Sequence, residues 1–183
     1  MRVIAGTRRS IPLVTIDGKE TRPTTDRIKE TLFNILQTEI DGARFLDLFA
    51  GSGQMGIEAL SRGASYAVFV EQNKKCLECI QQNLTKTKFL DESRVIASSL
   101  PDCLKVLKSD EPFDIIFMDP PYAANCEATV LSMIDEMELC HEDTLVIIEA
   151  DLRHDFSFIE NSAFEVVRTK EYKTNQHVFL RRK

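Results

Sequence analysis

Two short stretches of this 183-residue chain carry residue types and spacings that suit chemistry. Asp119-Pro120-Pro121-Tyr122 follows residues 113–118, a run that is apolar except for Asp114 and reads as a buried parallel strand. The tetrapeptide then falls at a strand's carboxyl end, where open α/β sheets place their ligands. Two consecutive prolines stiffen the segment and stop it continuing as strand, so the Asp119 carboxylate and the Pro120 carbonyl form an acceptor pair in fixed geometry. Such a pair suits an amino group attached to an aromatic ring, whose lone pair is delocalised and weakly nucleophilic. Accepting both of its N–H bonds favours a pyramidal nitrogen that can attack an electrophile. Tyr122 can stack on the ring, once the base is flipped or unpaired.

The second stretch is Leu46-Asp47-Leu48-Phe49-Ala50-Gly51-Ser52-Gly53-Gln54-Met55-Gly56, a buried strand, a glycine turn and a helix start. Gly51 and Gly53 are expected to let the backbone approach a ligand where a Cβ would collide with it. Glu71, 24 residues beyond Asp47, ends the next apolar run and can accept hydrogen bonds from both ribose hydroxyls of an adenosine. Asp47 then separates two adenosine cofactors. A carboxylate just before the loop repels the pyrophosphate of a nicotinamide dinucleotide but suits the ammonium and sulfonium of S-adenosylmethionine. Phe49 and Gln72 are further candidate cofactor contacts.

The elements that must position these groups follow from periodicity. Residues 45–49, 67–70, 94–97, 113–118 and 145–148 read as strands buried on both faces, and helices are expected at 54–61, 74–84, 102–107 and 127–137. This is the alternation of a doubly wound α/β fold. Residues 3–5 and 11–16 read as two short strands of a basic hairpin with Arg8 and Arg9 on its turn. Thr24-Thr25-Asp26 supplies cap chemistry for a helix of about four turns through Ile28, Leu32, Ile35 and Leu36. At the other end, 164–172 and 177–180 read as a hairpin turning at Lys173-Thr174-Asn175 and closing one sheet edge.

Composition bounds the rest. The size suits one domain, divided as a basic extension over residues 1–22 and a catalytic body over 23–183. No apolar run is long enough to span a membrane, which points to a soluble cytoplasmic protein. Five cysteines without a disulfide framework are expected to be reduced. Cys76 and Cys79 form a CxxC without a second pair, read as two small helix residues rather than a zinc site; no metal is expected. The net charge of −6 is unevenly spread: residues 1–30 carry +3, residues 168–183 carry +5, and the segment between carries −14. Basic ends on an acidic body suggest a nucleic-acid face, with Arg8, Arg9, Arg22 and Arg27 as phosphate contacts.

On Arg22-Pro23-Thr24-Thr25-Asp26-Arg27, Glu30-Thr31-Leu32-Phe33-Asn34, LDLFAGSG, Glu71 and Asp119-Pro120-Pro121-Tyr122, the sequence resembles the bacterial methyltransferases that act on N2 of guanine 966 in 16S ribosomal RNA. The resemblance implies a seven-stranded Rossmann-like methyltransferase sheet with an N-terminal hairpin and helix. It also implies cofactor contacts at Asp47, Gly51, Gly53 and Glu71, catalysis at Asp119, Pro120 and Tyr122, and RNA held by the basic hairpin. Thr24 joins the RNA-contact candidates. Where relatives usually carry an acidic or amide residue after the third strand, this chain has Ser98-Ser99, which makes Ser99 the candidate contact there. The expected partner is ribosomal RNA, presented within an assembling small subunit, and the expected state is a monomer. DNA-base and protein-glutamine methylation use similar chemistry. A DNA reader normally needs a further domain, however, and glutamine enzymes more often carry Asn where Asp119 stands. An NAD-dependent oxidoreductase leaves Asp47 and the tetrapeptide without roles, and a non-catalytic RNA-binding module explains only the basic ends.

Overall fold

The computed structural model describes residues 1–16, 26–108, 110–121 and 126–183. Its seven strands form a mixed sheet with helices, the expected α/β class. Two compact units, Met1–Ala97 and Ser98–Lys183, are described in turn.

In the first unit, β1 (Arg44–Asp47), β2 (Tyr66–Glu71) and β3 (Ser93–Ala97) are parallel in the order β3-β2-β1. Phe45, Leu46, Val68 and Phe69 are fully buried, as expected for strands covered on both faces. Helix α1 (Asp26–Ile35) precedes them and runs about three turns, shorter than the periodicity predicts. Helix α2 (Gln54–Ser61) follows β1, and α3 (Lys74–Thr87) follows β2. Asn73 caps α3, its Oδ1 accepting from the amides of Lys75 and Cys76 at 2.9 and 3.4 Å. The buried stripe Cys76, Cys79, Ile80, Asn83, Leu84 and Thr87 gives α3 one inward face, on which the CxxC cysteines lie.

The N-terminal segment pairs its two arms in hairpin fashion but stops short of the expected strands. Arg2 and Pro12 form an antiparallel bridge, the Val3 amide donates to the Ile11 carbonyl, Ser10 to Val3 and Leu13 to Met1, yet residues 3–5 and 11–16 do not become strands. The reason is that α2 competes for the segment's backbone. The amides of Ile4 and Ala5 donate to the Glu58 carboxylate at 2.8 and 3.0 Å, the Thr7 amide donates to the Ser61 carbonyl, and Ser61 Oγ donates to the Ala5 carbonyl. Gly6 packs so closely that a Cβ there would lie 1.7 Å from Ser61 O. Covered in this way, α2 is buried from Met55 to Ser61, including Glu58, which pairs with the equally buried Lys29 at 3.4 Å.

In the second unit, α4 (Asp102–Leu107) precedes β4 (Phe113–Met118), and α5 (Glu127–Glu136) leads into β5 (Cys140–Asp151). β5 is parallel to β4 and far longer than its apolar centre, Leu145 to Ile148, suggests. A short 3-10 helix (Ser157–Asn161) then precedes the antiparallel pair β6 (Phe164–Glu171) and β7 (Asn175–Arg182), giving the order β4-β5-β7-β6. The closing hairpin is therefore present, with β7 inside against β5 and β6 largely exposed at the edge. Among the described residues no helix is long and apolar enough to cross a membrane.

Candidate active site

β1 delivers Asp47 to the mouth of the glycine loop in a fully buried position, 1% exposed. Its Oδ2 accepts from the Gly56 amide at 3.3 Å, and its Oδ1 is buried without a hydrogen-bond partner among the described residues. Burial pushes the carboxyl up to about 7, opposed by the Gly56 amide and, more weakly, by the Phe49 amide, which does not reach hydrogen-bonding geometry with Oδ1, and reinforced by the Glu71 charge. A buried acceptor left unpaired is costly, and a cationic donor from a ligand would satisfy it.

The loop's glycines do different work. Gly51 has φ +54° and Gly53 +78°, both left-handed, and Gly53 is the N-cap of α2. A Cβ at Gly51 would meet nothing within 4 Å, so the surface there is open. Gly51 thus serves its left-handed backbone conformation and leaves space for a ligand. Gly56 is the close-packing glycine: a Cβ on it would lie 2.4 Å from Phe69 Cε1. Phe49 is half-buried beside the loop.

Glu71 ends β2 and closes on the same loop. Its Oε2 accepts from the Gly51 amide at 2.8 Å, and its Oε1 accepts from the amides of Gln72 and Asn73, both at 2.8 Å. Three amides fix its orientation, with lone pairs still available on a part-exposed group. Asp47, Gly51, Gly53, Glu71 and exposed Gln72 thus lie together around the loop.

One residue that sequence reasoning missed supports this loop. Asn83, fully buried on α3, donates from Nδ2 to the carbonyls of Ser52 and Val14, both at 2.9 Å, and accepts the Val14 amide on Oδ1 at 2.7 Å. It ties the N-terminal segment to the glycine turn. A polar residue in the middle of an amphipathic helix gives no signal that separates this role from a solvated position.

In the second unit, Asp119 and Pro120 follow β4 directly, the first half-buried and the second buried, and Pro121 is exposed. Tyr122 lies outside the described residues, as do Arg22 and Thr24. Ser99 is exposed, and its carbonyl accepts the Cys103 amide at 3.0 Å. Of the basic candidates, Arg9 and Arg27 are exposed. Arg8 is half-buried, with Nε donating to the Thr87 carbonyl at 2.7 Å and its guanidinium 5.2 Å from the Phe89 ring centre.

Comparison with known proteins agrees with this layout. Residues 1–181 match the family described as conserved hypothetical protein 95. The chain is 39% identical to YlbH of Bacillus subtilis (strain 168), over 82% of this chain and 83% of that one. It is 38% identical to the ribosomal RNA small subunit methyltransferase D of Haemophilus influenzae, over 82% of this chain and 79% of the relative. The solved structure of yhhF from Escherichia coli superposes with a TM-score of 0.86 at 30% identity, covering 100% of this chain and 98% of that one. Membership of this family, and kinship with the bacterial small-subunit ribosomal RNA methyltransferases that the sequence resembles, is where the motifs, the fold and these relatives converge, and the chain belongs to it.

Proposed function

We propose that this protein transfers a methyl group from S-adenosylmethionine to the exocyclic N2 of guanine 966 in 16S ribosomal RNA. In this reading it acts as a single monomeric catalytic domain of the cytoplasm, with residues 1–22 as a basic extension and no metal requirement. The observation that carries the reading is the Asp47 carboxylate, buried at the end of β1 with Oδ1 unpaired and open space over Gly51. An ammonium donor fits that acceptor, while a diphosphate would meet a carboxylate, which disfavours a nicotinamide dinucleotide. Asp47, Phe49, Gly51, Gly53, Glu71, Gln72 and Ser99 are the residues that would hold the cofactor. Bound there, it supplies an electrophilic methyl group on a sulfonium.

The chain's own groups then hold and align the amine. The Asp119 carboxylate and the Pro120 carbonyl accept its two N–H bonds, Pro121 keeps that pair rigid, and Tyr122 stacks on the base. On accepting the methyl group the nitrogen must give up one proton, for which Asp119 would be the base. Ribosomal RNA as substrate is supported by the name of the Haemophilus influenzae relative and by the basic ends of the chain. Arg8, Arg9, Arg22, Thr24 and Arg27 would contact RNA, positioning rather than specifying it.

The test is a transfer assay with labelled S-adenosylmethionine and small subunits from cells lacking the gene, followed by nucleoside analysis. One N2-methylguanosine per subunit is expected, with less on protein-free RNA, because so small an acidic-bodied enzyme relies on ribosomal proteins to present the target. Label in adenosine, cytidine or protein would overturn the base assignment, and equal activity on free RNA would overturn the role of the assembled subunit.

A further inference from the structure

A buried polar cluster in the second unit has no part in the scheme above. His177 on β7 is 0% exposed, and its Nε2 lies 3.0 Å from Glu149 Oε2 on β5. Its Nδ1 lies 3.1 Å from the Tyr172 hydroxyl, and Asn175 Nδ2 donates to Glu149 Oε1 at 2.6 Å. The rings of Phe117, Tyr172 and Phe179 surround the imidazole. Polar groups of this kind inside an apolar sheet cost stability relative to packed hydrocarbon, so the fold alone does not call for them.

The hydrogen bonds run in one consistent direction. With neutral His177, the Tyr172 hydroxyl donates to Nδ1 and Nε2–H donates to Glu149, while the Asn175 amide donates to the other carboxylate oxygen. All of the chain's donors converge on Glu149 and hold its carboxylate as a fixed acceptor. Asn175 Oδ1 is left buried and unpaired among the described residues, an added cost that keeps its amide turned toward Glu149. Glu149 and Tyr172 are both part-exposed whereas His177 is sealed, and of the two Glu149, with a side chain 12% exposed, is the acceptor.

Register puts this acceptor next to the tetrapeptide. Met118 pairs with Ile148 in the parallel β4–β5 ladder, so Asp119 and Glu149 each follow one residue later on strands about 4.8 Å apart. On guanine, the N2 amino group and N1–H are neighbouring donors on one edge. Adenine and cytosine present a lone pair where guanine has N1–H.

Building on the proposed N2 chemistry, we propose that Glu149 is the base-specificity residue: it accepts guanine N1–H while Asp119 and Pro120 hold N2. His177, Tyr172 and Asn175 are positioning residues that fix its carboxylate. A base with a lone pair at N1 faces the anion and is rejected.

The experiment replaces the target guanine by 2-aminopurine, which keeps the N2 amine and has a lone pair at N1. The RNA is reconstituted into small subunits, and kcat/KM is compared for wild type and Glu149→Gln. Wild type should favour guanine by roughly 100-fold or more. In Glu149→Gln, whose amide can donate to the N1 lone pair, that ratio should fall at least about tenfold. Should the variant turn over too slowly, 2-aminopurine fluorescence gives its affinity directly, and tighter binding than wild type is expected. Equal use of both bases by wild type, or an unchanged ratio and affinity in the variant, overturns the role of Glu149. Absence of methylation on guanine by wild type overturns the N2 reading itself and is thereby distinguishable.

Discussion

Asp47 is kept protonated by burial up to about pH 7, whereas the same side chain ionises near 3.8 when unperturbed. Between those values the folded chain holds a proton that the unfolded chain has released. This group's contribution to stability is therefore greatest below pH 3.8, falls as pH rises towards 7 and is flat above. Asp47→Asn should raise the melting temperature of the ligand-free protein at pH 8 relative to wild type, and the gain should shrink as pH is lowered towards 4. The same variant should bind S-adenosylmethionine at least about tenfold more weakly, because the charge that meets the ammonium is gone. Calorimetry at several pH values reads both effects: wild-type affinity should weaken as pH falls below about 7, and the variant's should not follow it. Asp47 and Glu71 were legible in the sequence because an acid at the end of an apolar run is out of place there. Glu58 and Asn83 were not, since polar residues on amphipathic helices look alike whether they face water or a buried partner; Glu149 also ends an apolar run, but its buried partners His177 and Asn175 come from a strand far along the chain.

The strands and helices around the glycine loop were readable almost to the residue, with α2 beginning and ending as the periodicity predicts, and in the second unit α4 does the same. Local hydrophobic pattern dominates there. The N-terminal pair stops short of strands because the amides of Ile4 and Ala5 bond to the side chain of a helix residue more than fifty positions away, which no local pattern reports. β5 and β7 extend beyond their apolar centres, β7 beginning two residues early with buried Asn175, which the sequence reading assigns to the turn, and Gln176. Two substitutions test how these elements are held. Glu58→Leu leaves Lys29, whose ammonium is already disfavoured by burial, without its carboxylate; about 3–5 kcal/mol of stability should be lost in denaturant unfolding. Gly56→Ala forces a Cβ against the Phe69 ring and should cost about 1–3 kcal/mol, in contrast to Gly51→Ala, where strain from the left-handed backbone is the only penalty.

Charge is organised over the whole chain, with basic ends and a middle segment of net −14. RNA binding through the ends implies a salt dependence set by few phosphate contacts. Arg9→Ala should weaken RNA binding and lower the slope of log affinity against log salt by roughly one, without changing the melting temperature. Arg8→Ala should lower the melting temperature as well, because its guanidinium also holds the Thr87 carbonyl and covers Phe89. Mass spectrometry of nucleosides from small-subunit ribosomal RNA reads the proposed reaction in the cell. Cells with the gene, without it, and with Asp119→Ala as the only copy are compared. The account predicts that one N2-methylguanosine, at guanine 966, is present in the first and missing from both others. Ribosomal RNA with unchanged methylation in the deletion strain would contradict it.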